Sequence, residues 1–367
     1  MKVLLLSGIY PPDIGGPATN IPEFAQFLLG ANHSPEVITL KNSDLTPKNG
    51  NWPVKYINRN GFLLVRVIRT IIVIHKRLKL VDSVFANGLI QETGISLLFR
   101  PKWSVVKIVG DPVWERAKNR AETELGILEF NQSKLNIKHR IQREILVWSL
   151  NNFNQIICPS LQLKDIIENW GVNTAISFIP NGVKEIDVPV LEKNYDLVTV
   201  CRIISLKNCD KMITSCKETS SSLAIVGDGP EIEKLKTLAQ SLDARVTFLG
   251  NLEPQEVFEI LLRSRIYLNF SDHEGLSFAL LEAMACGLPS IVSKVPGNMA
   301  VIDDGIDGYI VDIKDTLRLN QIISKLLTSV SLQNKLGQAA INKIKEKYSQ
   351  NRQLSQVVQL LEQVIIK

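Results

Sequence analysis

Short apolar runs rich in Val, Ile and Leu alternate with segments of helical period along the whole chain. That alternation restricts the fold more than any single residue. Repeated strand–helix–strand units place crossover helices over both faces of a parallel sheet. In the first half the strand-like runs are Lys2–Ser7, Glu36–Leu40, Ser83–Ala86, Val105–Val109, Gln155–Cys158 and Ile176–Ile179. Helical runs there include Asn20–Leu29, Leu63–Lys79, Lys134–Asn151 and Leu161–Trp170. In the second half Asp196–Val200, Ser222–Val226, Arg245–Phe248, Ile266–Phe270, Pro289–Val292 and Gly308–Val311 read as strands. The helices between and after them fall around Asn208–Cys216, Pro230–Ser241, Pro254–Leu262, Ser277–Ala285, Leu317–Leu327 and Leu332–Tyr348. The turn pair Asn181-Gly182 and an aperiodic stretch to Asn194 separate the two series. A chain of 367 residues accommodates two domains with a core each. The expected division is 1–185, 186–348 and a terminal helical segment, 349–367, with Leu354, Val357, Val358 and Leu361 on one face.

Hydrophobic residues make up 45% and charged residues 22%, the composition of a globular protein. No apolar run reaches the ~20 residues that span a bilayer. Val3–Leu6 is too short for a secretory signal and reads as a first strand. The five cysteines include no C-x-x-C pair and are odd in number, which argues against a metal cluster or a disulfide framework and fits a reducing cytosol. The four histidines show no metal-ligand spacing. Charge is unevenly spread: residues 1–185 carry 22 Lys and Arg against 15 Asp and Glu, a net +7, whereas 186–367 carry 20 against 22, a net −2. Within the basic half, Gly61–Leu80 combines an apolar stripe with Arg66, Arg69, Lys76, Arg77 and Lys79. That pattern suits either a core helix with a solvated cationic end or an interfacial helix on an anionic membrane, and the net charge favours the second.

Four short segments carry candidate chemistry. In SDHEGLSFALLEAMACGLPSIVS, residues 271–293, Glu274 precedes a helix and Glu282 lies inside it. The amides of Gly275, Leu276 and Ser277 fall where a helix start leaves N–H groups unpaired, a setting that attracts polar or anionic ligands. Cys201-Arg202-Ile203-Ile204-Ser205-Leu206-Lys207 follows a strand, and its two cations can converge on one anion. Gly15-Gly16 sits at a strand-to-helix turn where backbone can approach a phosphate, without the G-x-G-x-x-G pattern of a nicotinamide site. Asp111, in Gly110-Asp111-Pro112, is either a turn residue before proline or a group that orients or deprotonates a hydroxyl.

The Glu274–Glu282 stretch, the Arg202–Lys207 loop, the Tyr10-Pro11-Pro12…Gly15-Gly16 loop and Gly227-Asp228-Gly229-Pro230 together resemble retaining GT-B glycosyltransferases, glycosyltransferase family 4 in particular. The resemblance is dense from Val198 to Val311 and sparse before it. It implies an α/β, GT-B fold: two Rossmann-like domains facing a central cleft, with the C-terminal helix crossing back to the first domain. It implies transfer, with retention, of a hexose-type sugar from a nucleotide sugar to a glycan or lipid-linked glycan, in cell-surface polysaccharide biosynthesis. Arg202 and Lys207 would meet the donor diphosphate, aided by Gly15 and Gly16. Glu274 and the Gly275–Ser277 amides would hold the sugar, Glu282 the ribose, and Gly250, Asn251 and Leu252 the nucleobase. Neither metal nor cofactor is expected, the nucleotide sugar being a substrate, and no nucleic-acid partner. The expected location is the cytoplasm, at the inner face of the membrane through Gly61–Leu80. Cys201 and Ile203 replace the family's glycine and leucine, and Asn298-Met299-Ala300 stands where relatives often carry Glu. The rival readings are a nucleotide-sugar epimerase or sugar phosphorylase of the same fold, and a catalytically silent nucleotide-sugar-binding subunit. The presence of Glu274, Arg202 and Lys207 speaks against the silent form.

Overall fold

The computed structural model describes residues 1–13, 16–41, 50–120, 122–189 and 191–363; Gly15 and the last four residues of the terminal segment lie outside them. The chain divides into two compact units, Met1–Ile179 with Leu354–Lys367, and Pro180–Gln353. Each is built around one parallel sheet.

In the first unit β1 (Lys2–Ser7), α1 (Gly16–Gly30), β2 (Ser34–Lys41), β3 (Val54–Asn58), α2 (Leu63–Arg77), β4 (Ser83–Asn87) and α3 (Ile90–Phe99) follow in order. Then come β5 (Trp103–Lys107), α4 (Pro112–Asn119), α5 (Ile127–Gln132), α6 (Ile137–Leu150), β6 (Gln155–Cys158), α7 (Leu161–Glu168) and β7 (Ala175–Phe178). The spatial order is β3-β2-β1-β4-β5-β6-β7. Because side chains alternate along a strand, Leu4 and Leu6 bury themselves among Ile74, Leu97 and Leu146. Val3 and Leu5 face the other way, among Phe24, Leu28, Val357 and Leu361. Apolar residues on both faces are what a sheet covered on both sides requires.

Four elements of this unit escape the periodicity. β3 (VKYIN) is short, polar at alternate positions and at the sheet edge. α3 contains Gly94, which normally disfavours a helix. A Cβ there would meet the Ser149 carbonyl oxygen at 2.8 Å, so the glycine is what lets α3 press against α6. α4 and α5 are a short turn or two each.

The second unit runs β8 (Tyr195–Val200), α8 (Cys209–Glu218), β9 (Ser222–Val226), α9 (Ile232–Ser241), β10 (Arg245–Gly250), α10 (Pro254–Leu262) and β11 (Ser264–Asn269). It continues through α11 (Phe278–Ala285), β12 (Ser290–Ser293), α12 (Pro296–Met299), β13 (Gly308–Val311), α13 (Thr316–Leu327) and α14 (Val330–Lys347). All its strand pairs are parallel, in the order β10-β9-β8-β11-β12-β13. The series reverses direction between β8 and β11. At such a switch point the loops beyond the strand carboxyl ends diverge and leave a crevice.

The last helix, α15 (Gln350–Glu362), carries the expected apolar face. Val357, Val358 and Leu361 are buried in the first unit, and the Trp103 indole N–H donates to the Leu360 carbonyl at 2.7 Å. The C-terminal segment is thus a structural part of the N-terminal sheet's covering. Leu361→Ala should cost about 2–5 kcal/mol of that unit's stability, the usual range for truncating a fully buried Leu. Urea unfolding followed by tryptophan fluorescence would report it; an unchanged midpoint would mean that the helix does not stabilise the unit.

Candidate functional site

The loops after β8 and β11 meet at the switch point of the second sheet. The loop after β8 begins with Cys201 and Arg202 and ends in a single 3-10 turn, Ser205–Lys207. It lies against the Gly227–Pro230 turn that follows β9. The Cys201 N–H donates to the Val226 carbonyl at 3.0 Å and the Ile203 N–H to the Asp228 carbonyl at 2.9 Å. Gly227 has φ +124°, and a Cβ on it would sit 1.9 Å from the Cys201 carbonyl oxygen. A Cβ on Gly229 would sit 2.1 Å from the Ile203 carbonyl oxygen. The two glycines are therefore the condition for placing Arg202 and Lys207, not merely turn residues.

The loop after β11 is held from the other side. The Ser293 hydroxyl donates to the Ser271 carbonyl at 2.6 Å, and Asn298 Nδ2 donates to the Ser293 carbonyl at 3.1 Å. A Cβ on Gly297 would fall 2.2 Å from the Glu274 carbonyl oxygen, so α12 can lie against the Glu274 loop only with glycine there. The buried Asn298, in the stretch that departs from the family's pattern, thus supports the loop. The Ser277 side chain accepts from the Leu280 N–H and caps α11.

Held in this way, Lys207 Nζ donates to Glu274 Oε1 at 2.5 Å. The Ser271 hydroxyl donates to the same oxygen at 2.7 Å. Both partners are mostly shielded, with side-chain exposures of 21% and 11%. They line a recess of about 360 Å³ with Thr199, Cys201, Arg202, Tyr267 and Leu276. Arg202 itself is exposed. A second recess, of about 460 Å³, shares Val200, Cys201 and Arg202 with the first and continues along Gly227, Asn251, Leu252 and Val257. Both volumes fall within the ~300–1,000 Å³ of small-molecule sites. The result is a bent trough: a charged end at Lys207 and Glu274, an arginine at the bend, and an end lined by Asp228, Asn251, Leu252 and Val257.

Most of the residues expected from the sequence come together here. Arg202, Lys207, Glu274, Leu276, Ser277, Asn251 and Leu252 line the two recesses. Gly275 and Gly250 line neither recess; Gly275 adjoins Glu274 in sequence, and the Gly250 carbonyl accepts from the Gly227 N–H at 2.7 Å. Glu282 is half-buried on α11, close enough to the Tyr267 phenol to contribute to its raised pKa. Gly16 opens α1 in the other unit, with open space where a Cβ would be. Asp111 belongs to a different arrangement. Fully buried, it caps α4: Oδ1 accepts from the Val113 and Trp114 N–H groups, and Oδ2 from Arg143 Nη2 at 2.6 Å and Asn131 Nδ2 at 3.0 Å. It thus accepts four hydrogen bonds as the N-cap of α4, whereas a base needs a free lone pair.

Sequence reasoning missed Tyr267, Ser271 and Thr199. Tyr267 sits in an apolar strand pattern that gives no hint of its hydroxyl. Burial, with Cys201, Glu274 and Glu282 nearby, raises that phenol well above its ordinary pKa, so it stays a protonated donor or acceptor at the trough floor. Among the described residues, no group of three His, Cys, Asp or Glu is placed to hold a metal ion.

Comparison with known proteins bears on both units. The family model described as Glycosyltransferase Family 4 matches residues 14–185, and that described as Glycosyl transferases group 1 matches residues 184–343. Over 202 residues the chain is 30% identical to N-acetyl-alpha-D-glucosaminyl L-malate synthase of Bacillus anthracis; that match covers 51% of this chain and 52% of the relative, about half the length of each. An uncharacterized glycosyltransferase of Methanocaldococcus jannaschii is 23% identical, with 100% of this chain and 99% of the relative aligned. Among solved structures, sucrose-phosphate synthase from Thermosynechococcus elongatus superposes with a TM-score of 0.77 at 17% identity, covering 100% of this chain and 99% of that one. Anabaena HepE in complex with UDP gives 0.76 at 16% identity, covering 99% and 100%. These likenesses identify the fold as GT-B.

The trough has a reactive marker. The Cys201 and Cys209 sulfurs are 3.7 Å apart. The hydrogen bond from Cys209 lowers the Cys201 pKa below the ordinary thiol value, and Lys207 lowers it further. Burial raises Cys158, Cys216 and Cys286, and the shared hydrogen bond raises Cys209. The thiolate is the nucleophile, so a lowered pKa means more reactive thiol below the usual titration point. Iodoacetamide at neutral pH should therefore modify Cys201 first, and more slowly in Lys207→Ala, where the lost cation lets the pKa rise. Peptide mass spectrometry showing another cysteine modified first would contradict this geometry.

Proposed function

We propose that this chain, which belongs to glycosyltransferase family 4, transfers a hexose-type sugar from a nucleotide sugar to a glycan or lipid-linked glycan, with retention and without a metal. The trough at the β8/β11 switch point carries the reading. It offers Lys207 and Glu274 at one end, Arg202 between the two recesses, and a wall of Val226, Asp228, Asn251, Leu252 and Val257 at the other. A nucleoside diphosphate sugar has the matching layout: base, ribose, diphosphate, sugar. The solved complex of Anabaena HepE contains UDP, and another contains UDP and glucose; a uridine donor is the first to test here.

In this reading the base lies beside Asn251 and Leu252, and Glu282 accepts from the ribose hydroxyls. Arg202, exposed at the bend, meets the diphosphate with its guanidinium fork. Lys207 is shared between Glu274 and the leaving phosphate. As the glycosidic bond breaks, negative charge grows on the diphosphate, and a fixed ammonium stabilises it more in the transition state than in the ground state. Glu274, oriented by Ser271, holds sugar hydroxyls with the Gly275–Ser277 amides. Asp111, engaged as a helix cap, is not assigned the acceptor's proton in this reading. Attack on the same face as the departing diphosphate, through an oxocarbenium-like state, lets the leaving group itself take the acceptor's proton. The first unit is the acceptor side. We place the reaction in cell-surface polysaccharide synthesis, at the inner face of a membrane contacted by Gly61–Leu80.

Incubation with UDP-, GDP- and ADP-sugars, reading nucleotide release, tests the assignment; if none is consumed with or without an acceptor, it fails. Lys207→Ala and Glu274→Ala should each lower kcat/KM by more than ~100-fold, about 2.7 kcal/mol of transition-state stabilisation, with circular dichroism unchanged. Near-normal turnover in either variant would remove that residue from the mechanism. Activity should survive EDTA; its abolition by EDTA and restoration by Mg²⁺ or Mn²⁺ would refute the metal-free reading.

A further inference from the structure

Half of the large apolar side chains that are exposed among the described residues lie on or beside three helices of the first unit, α2, α3 and α6. On α6, Ile137, Ile141, Ile145 and Trp148 recur at helical spacing and are 63%, 52%, 49% and 44% exposed. They form an outward stripe, opposite to the buried His139, Arg143, Leu146 and Leu150. On α2, Leu64, Val65, Ile68 and Ile72 are 48–69% exposed, while Thr70 and Ile74 face the core. Phe62, just before α2, is 82% exposed.

The two stripes flank α3. The Ser96 hydroxyl of α3 lies 3.3 Å from the Ile71 carbonyl oxygen of α2. Gly94 of α3 lies so close to Ser149 of α6 that a Cβ would clash. α3 is built from small residues where it is covered, Thr93, Gly94 and Ser96, and emerges only at Leu98 and Phe99. α2 and α6 therefore stand as two apolar ridges with a low helix between them.

Exposed apolar area of this extent marks a surface that another phase or molecule covers. Charge selects the occupant. Arg69 and Lys76 are exposed on α2, Lys79 just after it, and Arg140 on α6; on α6 Lys138 is paired with Glu122 and Glu144 is exposed, whereas Gly61–Leu80 contains no acidic residue, so the positive charge lies chiefly along α2. A second copy would bring like charges together, whereas an anionic lipid surface neutralises them while its interface takes up the apolar side chains.

We infer that α2 and α6 form a two-ridge platform that seats the first unit on an anionic bilayer surface, with Trp148 at the headgroup level. This rests on the proposed membrane-side transfer and extends it. One amphipathic helix defines only a line along the bilayer and leaves the protein free to roll. Two ridges define a plane and fix the orientation of the sheet, so that a lipid-borne acceptor is offered to one edge of it. No helix among the described residues is long and apolar enough to cross a membrane, so the contact is interfacial.

Flotation with vesicles of phosphatidylglycerol and phosphatidylcholine in equal parts, at low salt, tests the platform. The wild-type chain should float, and binding should weaken on pure phosphatidylcholine. Ile141→Asn with Ile145→Asn, leaving α2 intact, should weaken binding by about tenfold or more. Ile68→Asn with Ile72→Asn should do the same. Wild-type flotation by the α6 variant would overturn the inference, as would absence of wild-type flotation. So would wild-type dimers in vesicle-free buffer that the α6 variant turns into monomers. If the α6 variant does not fold, the vesicle-induced blue shift of tryptophan fluorescence decides: it should be lost in Trp148→Phe, and its persistence would refute the placement. Nucleotide release from the donor in vesicle-free solution should be unchanged in the surface variants. Failure of every version to release nucleotide would sink the enzymatic reading while leaving the flotation result standing.

Discussion

The pairing of Lys207 with Glu274 is the interaction on which the site depends. The two residues are 67 positions apart and arrive on loops from different strands. Partial burial makes such a pair a poor source of stability, because removing two charges from water offsets most of their attraction. What it secures is position. A lysine on a flexible stem would otherwise sample many rotamers, and a phosphate would have to order it on arrival. Here the ammonium is ordered beforehand by a carboxylate that is itself oriented by Ser271. In the proposed reaction an incoming diphosphate would meet an ammonium already in place.

That pairing is possible only because backbone approaches backbone at Gly227, Gly229 and Gly297. At each, a Cβ would clash with a neighbouring backbone carbonyl oxygen. The charged residues are the visible part of the site, and the glycines are its foundation. Cys201 enters at the same point. Its side chain approaches Cys209, with the two sulfurs 3.7 Å apart.

The second unit was largely legible for this reason. Its signals are local: Gly227-Asp228-Gly229-Pro230, Glu274-Gly275 and Gly287-Leu288-Pro289 are short strings whose backbone demands can be read directly. The helix expected from Ser277 to Ala285 was visible from the spacing of Phe278, Leu281, Met284 and Ala285 and the stop at Gly287-Leu288-Pro289; the structure begins it at Phe278, with Ser277 as its cap. What was not legible depends on contacts distant in sequence. Tyr267 reads as a strand core residue until Glu282 and Ser277 are placed beside it. Asp111 read as a turn residue before proline or as a group acting on a hydroxyl; its bonds to Asn131 and Arg143, 20 and 32 residues on, are not visible in the local string.

The first unit exposes a deeper limit. Period identifies a helix and its apolar stripe but not what the stripe faces. On α6 the stripe Ile137, Ile141, Ile145 and Trp148 is as regular as the buried Leu146 and Leu150, yet it points outward. The inward face is shared with His139 and Arg143, which sequence alone would assign to solvent. His139 is satisfied by Glu122 at 2.9 Å, and Arg143 by Asp111, with its guanidinium stacked 4.2 Å from the Trp170 ring centre. Polar groups buried with partners make room for apolar groups on the surface, and the usual inside-out reading inverts. Such inversion costs solubility and has no packing benefit of its own. Its persistence over two neighbouring helices, edged with cations, is therefore better explained by a surface that water does not cover in use.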